Sequence, residues 1–117
     1  MIPNSGLVIN MMDSNDGGGS HWVAMYMDGK SNVTYFDSYG ASAPEEIRSL
    51  LRASDITTYK INATRLQGDK STACGYYCLK FLDDMSDGMN HGNFLTQFDT
   101  DIEKNENIIQ AYRASIG

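Results

Sequence analysis

The chain has 117 residues, 41% apolar and 21% charged, which suits a single domain over 1–117 with room for one core. Its net charge of −6, pI of about 4.6 and 9 scattered Lys and Arg leave no basic stripe for a phosphate backbone, so a nucleic-acid partner is not expected. No apolar run reaches the roughly 18 residues a membrane span needs, and residues 1–12 lack the basic start and long apolar stretch of a signal peptide, so no membrane partner is expected either.

In chain order, residues 6–10 read as a short buried strand and 11–20 as a polar loop ending in Gly17-Gly18-Gly19. Trp22 to Met27 is a continuous apolar run, the pattern of a strand buried on both faces. Asp28-Gly29 signals a turn, and the β-branched and aromatic run Val33 to Phe36 reads as the returning strand. Ala43-Pro44-Glu45-Glu46 looks like a helix start, with Ile47, Leu50 and Leu51 as its apolar face. Residues 56–66, rich in Ile, Thr and Tyr, read as a further strand. Ser71 or Thr72 would cap a second helix running to about Met85, with Cys74, Cys78, Phe81, Leu82 and Met85 on one face. A last helix is expected near Ile102–Tyr112. The predicted class is α+β, a small, mostly antiparallel sheet packed by helices.

Cys74 and Cys78 lie four apart on the second helix, a spacing poor for a disulfide, so free thiols in an intracellular reducing compartment are expected. The sequons at Asn32 and Asn62 are then chance matches. Cys78, flanked by Tyr77 and Leu79, fits a structural core thiol. Cys74 differs. It falls in the first turn of a helix, where free N–H groups and the macrodipole lower a thiol pKa, and Gly75 lets backbone or substrate approach. A partly exposed, reactive thiol is expected there.

His21 opens the apolar strand after the glycine loop, a position both rigid and accessible, whereas His91 reads as a surface or satisfied core residue. A hairpin centred on Gly29 would set Asp37 directly opposite His21, within reach of a carboxylate–imidazole hydrogen bond. Asp37 could equally cap a turn with Ser38 and Gly40. Gln67 ends a predicted strand before the Cys74 loop. Its amide could donate to an oxyanion alongside the Cys74 N–H, or it could be an ordinary surface Gln. Nucleophile, base and orienting acid in this set are what thiol catalysis requires.

Metal and cofactor signals are weak. Cys74, Cys78, His21 and His91 lack a paired His motif for zinc. The stretch Asp13 to Gly17 has no acid at the fifth position of a calcium loop, and Ala24 stands where the bidentate Glu belongs. No Walker or dinucleotide fingerprint occurs, so neither metal nor cofactor is expected.

Gly19-Ser20-His21-Trp22-Val23-Ala24, Tyr35-Phe36-Asp37-Ser38-Tyr39-Gly40, and Gln67 through Cys74-Gly75-Tyr76-Tyr77-Cys78 to Phe81-Leu82 together resemble the adenovirus-type endopeptidase (adenain) family of cysteine proteases. That family shares its fold with the proteases of SUMO and other ubiquitin-like proteins. The resemblance covers roughly residues 6–86 and keeps the family's order of His, acid, Gln and Cys. It implies a papain-like, adenain-like fold with His21 as general base, Asp37 as third member, Gln67 as oxyanion donor and Cys74 as nucleophile. Gly19, Trp22 and Gly75 would line a narrow substrate cleft.

The third member is Asp, as in the SUMO-protease branch, where adenovirus enzymes use Glu. The chain is also much shorter than an adenovirus protease, and no counterpart is found to the cysteine that links that enzyme to its activating peptide. The implied protein is a monomeric viral or virus-like maturation protease. It would cut structural precursor proteins at Gly-containing sites through an acyl-enzyme. The alternatives are a ubiquitin-like-protein protease, an acyltransferase using the same residues, and a binding module with a decayed site.

Overall fold

The computed structural model describes residues 3–10, 21–62, 64–68 and 73–116. Four strands form one sheet in the order β1-β2-β3-β4: Ser5–Asn10, Trp22–Met27, Val33–Phe36 and Lys60–Ile61. The first three pair antiparallel and β4 joins β3 in parallel, which is the mostly antiparallel sheet expected. Helix α1 spans Glu45–Ala53, α2 Cys74–Ser86, α3 His91–Thr96 and α4 Ile102–Ile116.

Strand alternation divides the core between two faces of the sheet. Ala24, Tyr26 and Phe36 cluster with Tyr77, Cys78, Phe81, Phe94 and Ile109 from the three later helices. Val23, Met25, Met27, Val33 and Tyr35 cluster with Ala43 and with Ile47 and Leu51 of α1. The central strands are therefore covered on both sides, as the unbroken apolar run of β2 implies. On the helical side the aromatic rings interlock. Phe36 stacks on Phe81 at 4.9 Å between centroids, and Phe94 meets both edge-on at 5.4 and 5.3 Å.

Several expectations are corrected. β1 is an edge strand and not a buried one, with Leu7 42% and Val8 39% exposed. On one face α2 approaches it closely, so that a Cβ on Gly6 would stand 2.5 Å from Leu82 Cδ2, and on the other Ile9 packs against the α1 side of the core. In α1 only Ile47 and Leu51 are buried, and Leu50 faces outward. The strand expected over 56–66 shrinks to Lys60–Ile61, because the Asn62 side chain takes over the pairing. Its Oδ1 accepts the Asp37 N–H at 3.1 Å and its Nδ2 donates to the Asp37 carbonyl at 2.6 Å. Asn62 is buried by this clasp, so its sequon is closed to modification in the folded chain.

The expected caps Ser71 and Thr72 lie outside the described residues, and α2 starts at N-cap Ala73 without a side-chain cap bond. Tyr77 joins the buried stripe of α2. Helix α3 is an addition to the expected elements. Asn90 caps it by accepting the Asn93 N–H at 2.8 Å, and Phe94 anchors it. Helix α4 runs four residues past Tyr112.

Candidate active site

His21 sits one residue before β2 and Asp37 one residue after β3, at the same end of the hairpin. The ladder pairs Ala24 with Phe36 and Met27 with Val33, so the hairpin centres on Lys30 and not on Gly29. The turn is longer than a two-residue one. Asp28 N–H bonds to the Asn32 carbonyl at 3.0 Å, and Ser31 adopts a left-handed φ of 65°. Asp28 Oδ1 accepts the backbone N–H groups of both Lys30 and Asn32 at 2.9 Å, which holds the wider loop.

This moves the direct partner of His21 from Asp37 to Tyr39. A shift of two residues keeps the side chain on the same face, so Asp37 becomes a diagonal neighbour still within reach. His21 Nε2 lies 3.1 Å from Asp37 Oδ2. The Tyr39 ring packs beside the imidazole at 5.1 Å. The two readings of Asp37 both hold, one per oxygen: Oδ1 accepts the Tyr39 N–H at 2.8 Å, and the Gly40 N–H closes the turn on the Asp37 carbonyl at 2.8 Å. Gly40 takes a φ of 74°, which favours glycine there.

Cys74 stands at the start of α2 and hydrogen-bonds His21, which leaves Nδ1 as the ring atom for the thiol. It is buried, 5% exposed, where a partly exposed thiol was expected. Burial raises its pKa, but hydrogen bonds from the His21 imidazole and from the backbone N–H groups of Trp22 and Gly75 outweigh it. The thiol therefore ionises below its ordinary value. His21 moves the other way, to about 9, chiefly through its hydrogen bond to Asp37 and then through that to Cys74. Both shifts act toward a thiolate beside an imidazolium. Cys78, one turn deeper, is pushed up by burial and stays a thiol.

Gln67 is fully buried in irregular chain, neither a surface Gln nor a strand end. Its Oε1 accepts the Ser38 hydroxyl, and its backbone N–H donates to the Ser38 carbonyl at 3.1 Å. Trp22 opens β2, part-buried against the helical core, and a Cβ on Gly75 would meet its Cδ1 at 3.8 Å, an ordinary contact. Gly19 lies outside the described residues. His91 starts α3 half-buried, and its Nε2 is shut from solvent with no hydrogen-bond partner among the described residues, so of the two expectations for it the satisfied core residue is not met. Sequence reasoning missed Asn62 and Ser38, and it missed the backbone donors at Trp22 and Gly75. The one signal that could have found Ser38 is its place next to Asp37.

No family model matches the chain. Over 83 residues it is 35% identical to the protease of bovine adenovirus C serotype 10, covering 59% of this chain and 42% of that one. Over 107 residues it is 29% identical to the SUMO-1 cysteine protease of African swine fever virus (Warthog/Namibia isolate), covering 82% of this chain and 39% of that one. The crystal structure of the African swine fever virus protease matches with a TM-score of 0.61 at 29% identity, covering 86% of this chain and 40% of that chain. The chain is homologous to the adenain-type cysteine proteases. Its α+β fold is the adenain-like one expected from the sequence. The chain spans about two fifths of the length of the curated relatives it matches.

Proposed function

We propose that this chain is a cysteine endopeptidase acting on protein or peptide substrates. The observation that carries the reading is the single imidazole of His21 bonded to both Asp37 and Cys74, with the thiol at a helix start and its pKa lowered. Cys74 Sγ attacks the scissile carbonyl and forms a C–S bond. The oxyanion meets Gln67 Nε2 and the Cys74 N–H. His21 gives its proton to the departing amine as the C–N bond breaks, leaving a thioester. It then takes a proton from water, whose oxygen attacks the thioester; the C–S bond breaks, the acid is released, and the Cys74 thiolate is left beside the His21 imidazolium. Asp37 holds the imidazole and stabilises its charged form.

Gly19, Trp22 and Gly75 form the substrate side of this reading. The fold leaves only ordinary contact where a Gly75 Cβ would stand, so packing does not demand glycine there and substrate approach accounts for it. A narrow cleft excludes side chains and selects Gly-containing junctions. The named relatives are proteases of viruses, which fits a viral or virus-like protease, and maturation of structural precursors is the role proposed with it. No helix among the described residues is long and apolar enough to cross a membrane.

A second reading, cleavage of ubiquitin-like conjugates, is favoured by the Asp at the third position and by the name SUMO-1 cysteine protease carried by relatives. The first test is alkylation by iodoacetamide with mass spectrometry. Preferential labelling of Cys74 over Cys78 is expected, and equal labelling would mark a dead site. The second compares a Gly-containing octapeptide with a ubiquitin-like fusion carrying the same junction. Comparable cleavage supports the endopeptidase, and far faster cleavage of the fusion supports the second reading.

A further inference from the structure

We infer that Ser38 is a positioning residue that sets the orientation of the Gln67 amide; this rests on the reading of Gln67 as oxyanion donor. A carboxamide presents an oxygen or an NH₂ group of nearly equal shape, and only the NH₂ end stabilises a developing oxyanion. Turned around, Oε1 would face the growing negative charge and raise the barrier. Ser38, itself fully buried, commits its hydroxyl proton to Gln67 Oε1, which leaves Nε2 as the donating end.

The backbone around Gln67 is held by other groups. The Leu66 carbonyl accepts Tyr77 Oη and Asn105 Nδ2, each at 3.2 Å, and the Gly68 N–H donates to Glu106 Oε1 at 3.0 Å. The Ser38 carbonyl receives the Leu66 and Gln67 N–H groups at 2.8 and 3.1 Å, bonds that do not depend on the side chain at 38. Removing the Ser38 hydroxyl therefore frees the amide and not the segment. Because Ser38 follows Asp37, one dipeptide orients both the imidazole and the oxyanion amide.

The test compares two reactions of Cys74 in the full chain. p-Nitrophenyl acetate acetylates the thiolate through a tetrahedral oxyanion and expels p-nitrophenolate. Iodoacetamide alkylates it by displacing iodide, with no oxyanion formed. Ser38→Ala is expected to slow acetylation roughly tenfold while alkylation stays within about twofold, since a misoriented donor loses part of the roughly 10²-fold that a removed one does. In a Gln67→Ala background, Ser38→Ala should slow acetylation no further, because both act through one amide. Ser38→Thr and Ser38→Val, matched in shape, form a second pair should the alanine variant not fold. Only the threonine variant should keep the wild-type ratio of the two rates. Equal slowing of both reactions, additive losses in the double variant, or the same ratio for threonine and valine would overturn the inference. Unchanged acetylation in Ser38→Ala beside slowed acetylation in Gln67→Ala would overturn it alone. Unchanged acetylation in Gln67→Ala would overturn the oxyanion role of Gln67 and this inference with it.

Discussion

His21 Nε2 bonds Asp37 Oδ2 at 3.1 Å although the β2–β3 ladder runs His21 toward Tyr39. The bond is diagonal across the hairpin end. The imidazole gains a carboxylate on one nitrogen and the Tyr39 ring at its side, and its other nitrogen serves Cys74.

Asp37→Asn should lower octapeptide turnover by roughly 10²-fold or more with the fold kept, because the amide stabilises imidazolium poorly and favours the wrong tautomer. Asp37→Ala should also lose the turn and melt lower. Wild-type turnover in Asp37→Ala would sink the proposed relay.

Gln67→Ala should cut kcat by roughly 10²-fold and leave KM near its wild-type value, because an oxyanion donor acts in the transition state. Steady-state kinetics on the octapeptide decides this. A change confined to KM would move Gln67 to ground-state binding.

Cys74→Ala should abolish turnover. Cys78 is fully buried in the helical core, so Cys78→Ala should keep turnover and cost about 1 kcal/mol or more of stability in urea unfolding. Retained cleavage in the Cys74 variant would end the proposed mechanism.

The alkylation rate of Cys74 should already be high below the ordinary thiol range and change again near pH 9, where His21 loses its proton. His21 titrates above its ordinary 6.5, so the stabilisation it contributes is complete below that pH and fades as pH rises through about 9. Asp37 is the largest cause of the rise, so Asp37→Ala should bring the alkaline change to lower pH. An alkaline change that stays in place would show that another group sets it.

Asn62→Ala removes both side-chain bonds to the Asp37 backbone and leaves buried groups unpaired, at a cost of about 2–4 kcal/mol in urea unfolding. Turnover should fall as well, since the same clasp sets the height of the Asp37 carboxylate. A loss below about 0.5 kcal/mol would mean that other groups re-satisfy the clasped backbone.

The elements with a local signature were legible in the sequence: the apolar runs of β2 and β3, the stripe of α2 with Cys74 at its head, and the hairpin that brings His21 to Asp37. A hairpin is a short-range object, so counting residues about its turn finds the partner to within one diagonal step. The edge position and exposure of β1 followed from strand order, which no single strand records. Helix α3 is too short to show a period and is anchored by Phe94, which packs edge-on against the stacked rings of Phe36 and Phe81. The burial of Gln67 was decided wholly in three dimensions. The groups that bind or brace it or clasp Asp37 come from Ser38, Asn62, Tyr77, Asn105 and Glu106, on separate segments, and buried polar contacts between distant residues leave no periodic trace in either segment. Side-chain alternation and helical spacing are written residue by residue, whereas these hydrogen bonds exist only once the sheet and its helices have brought their partners together.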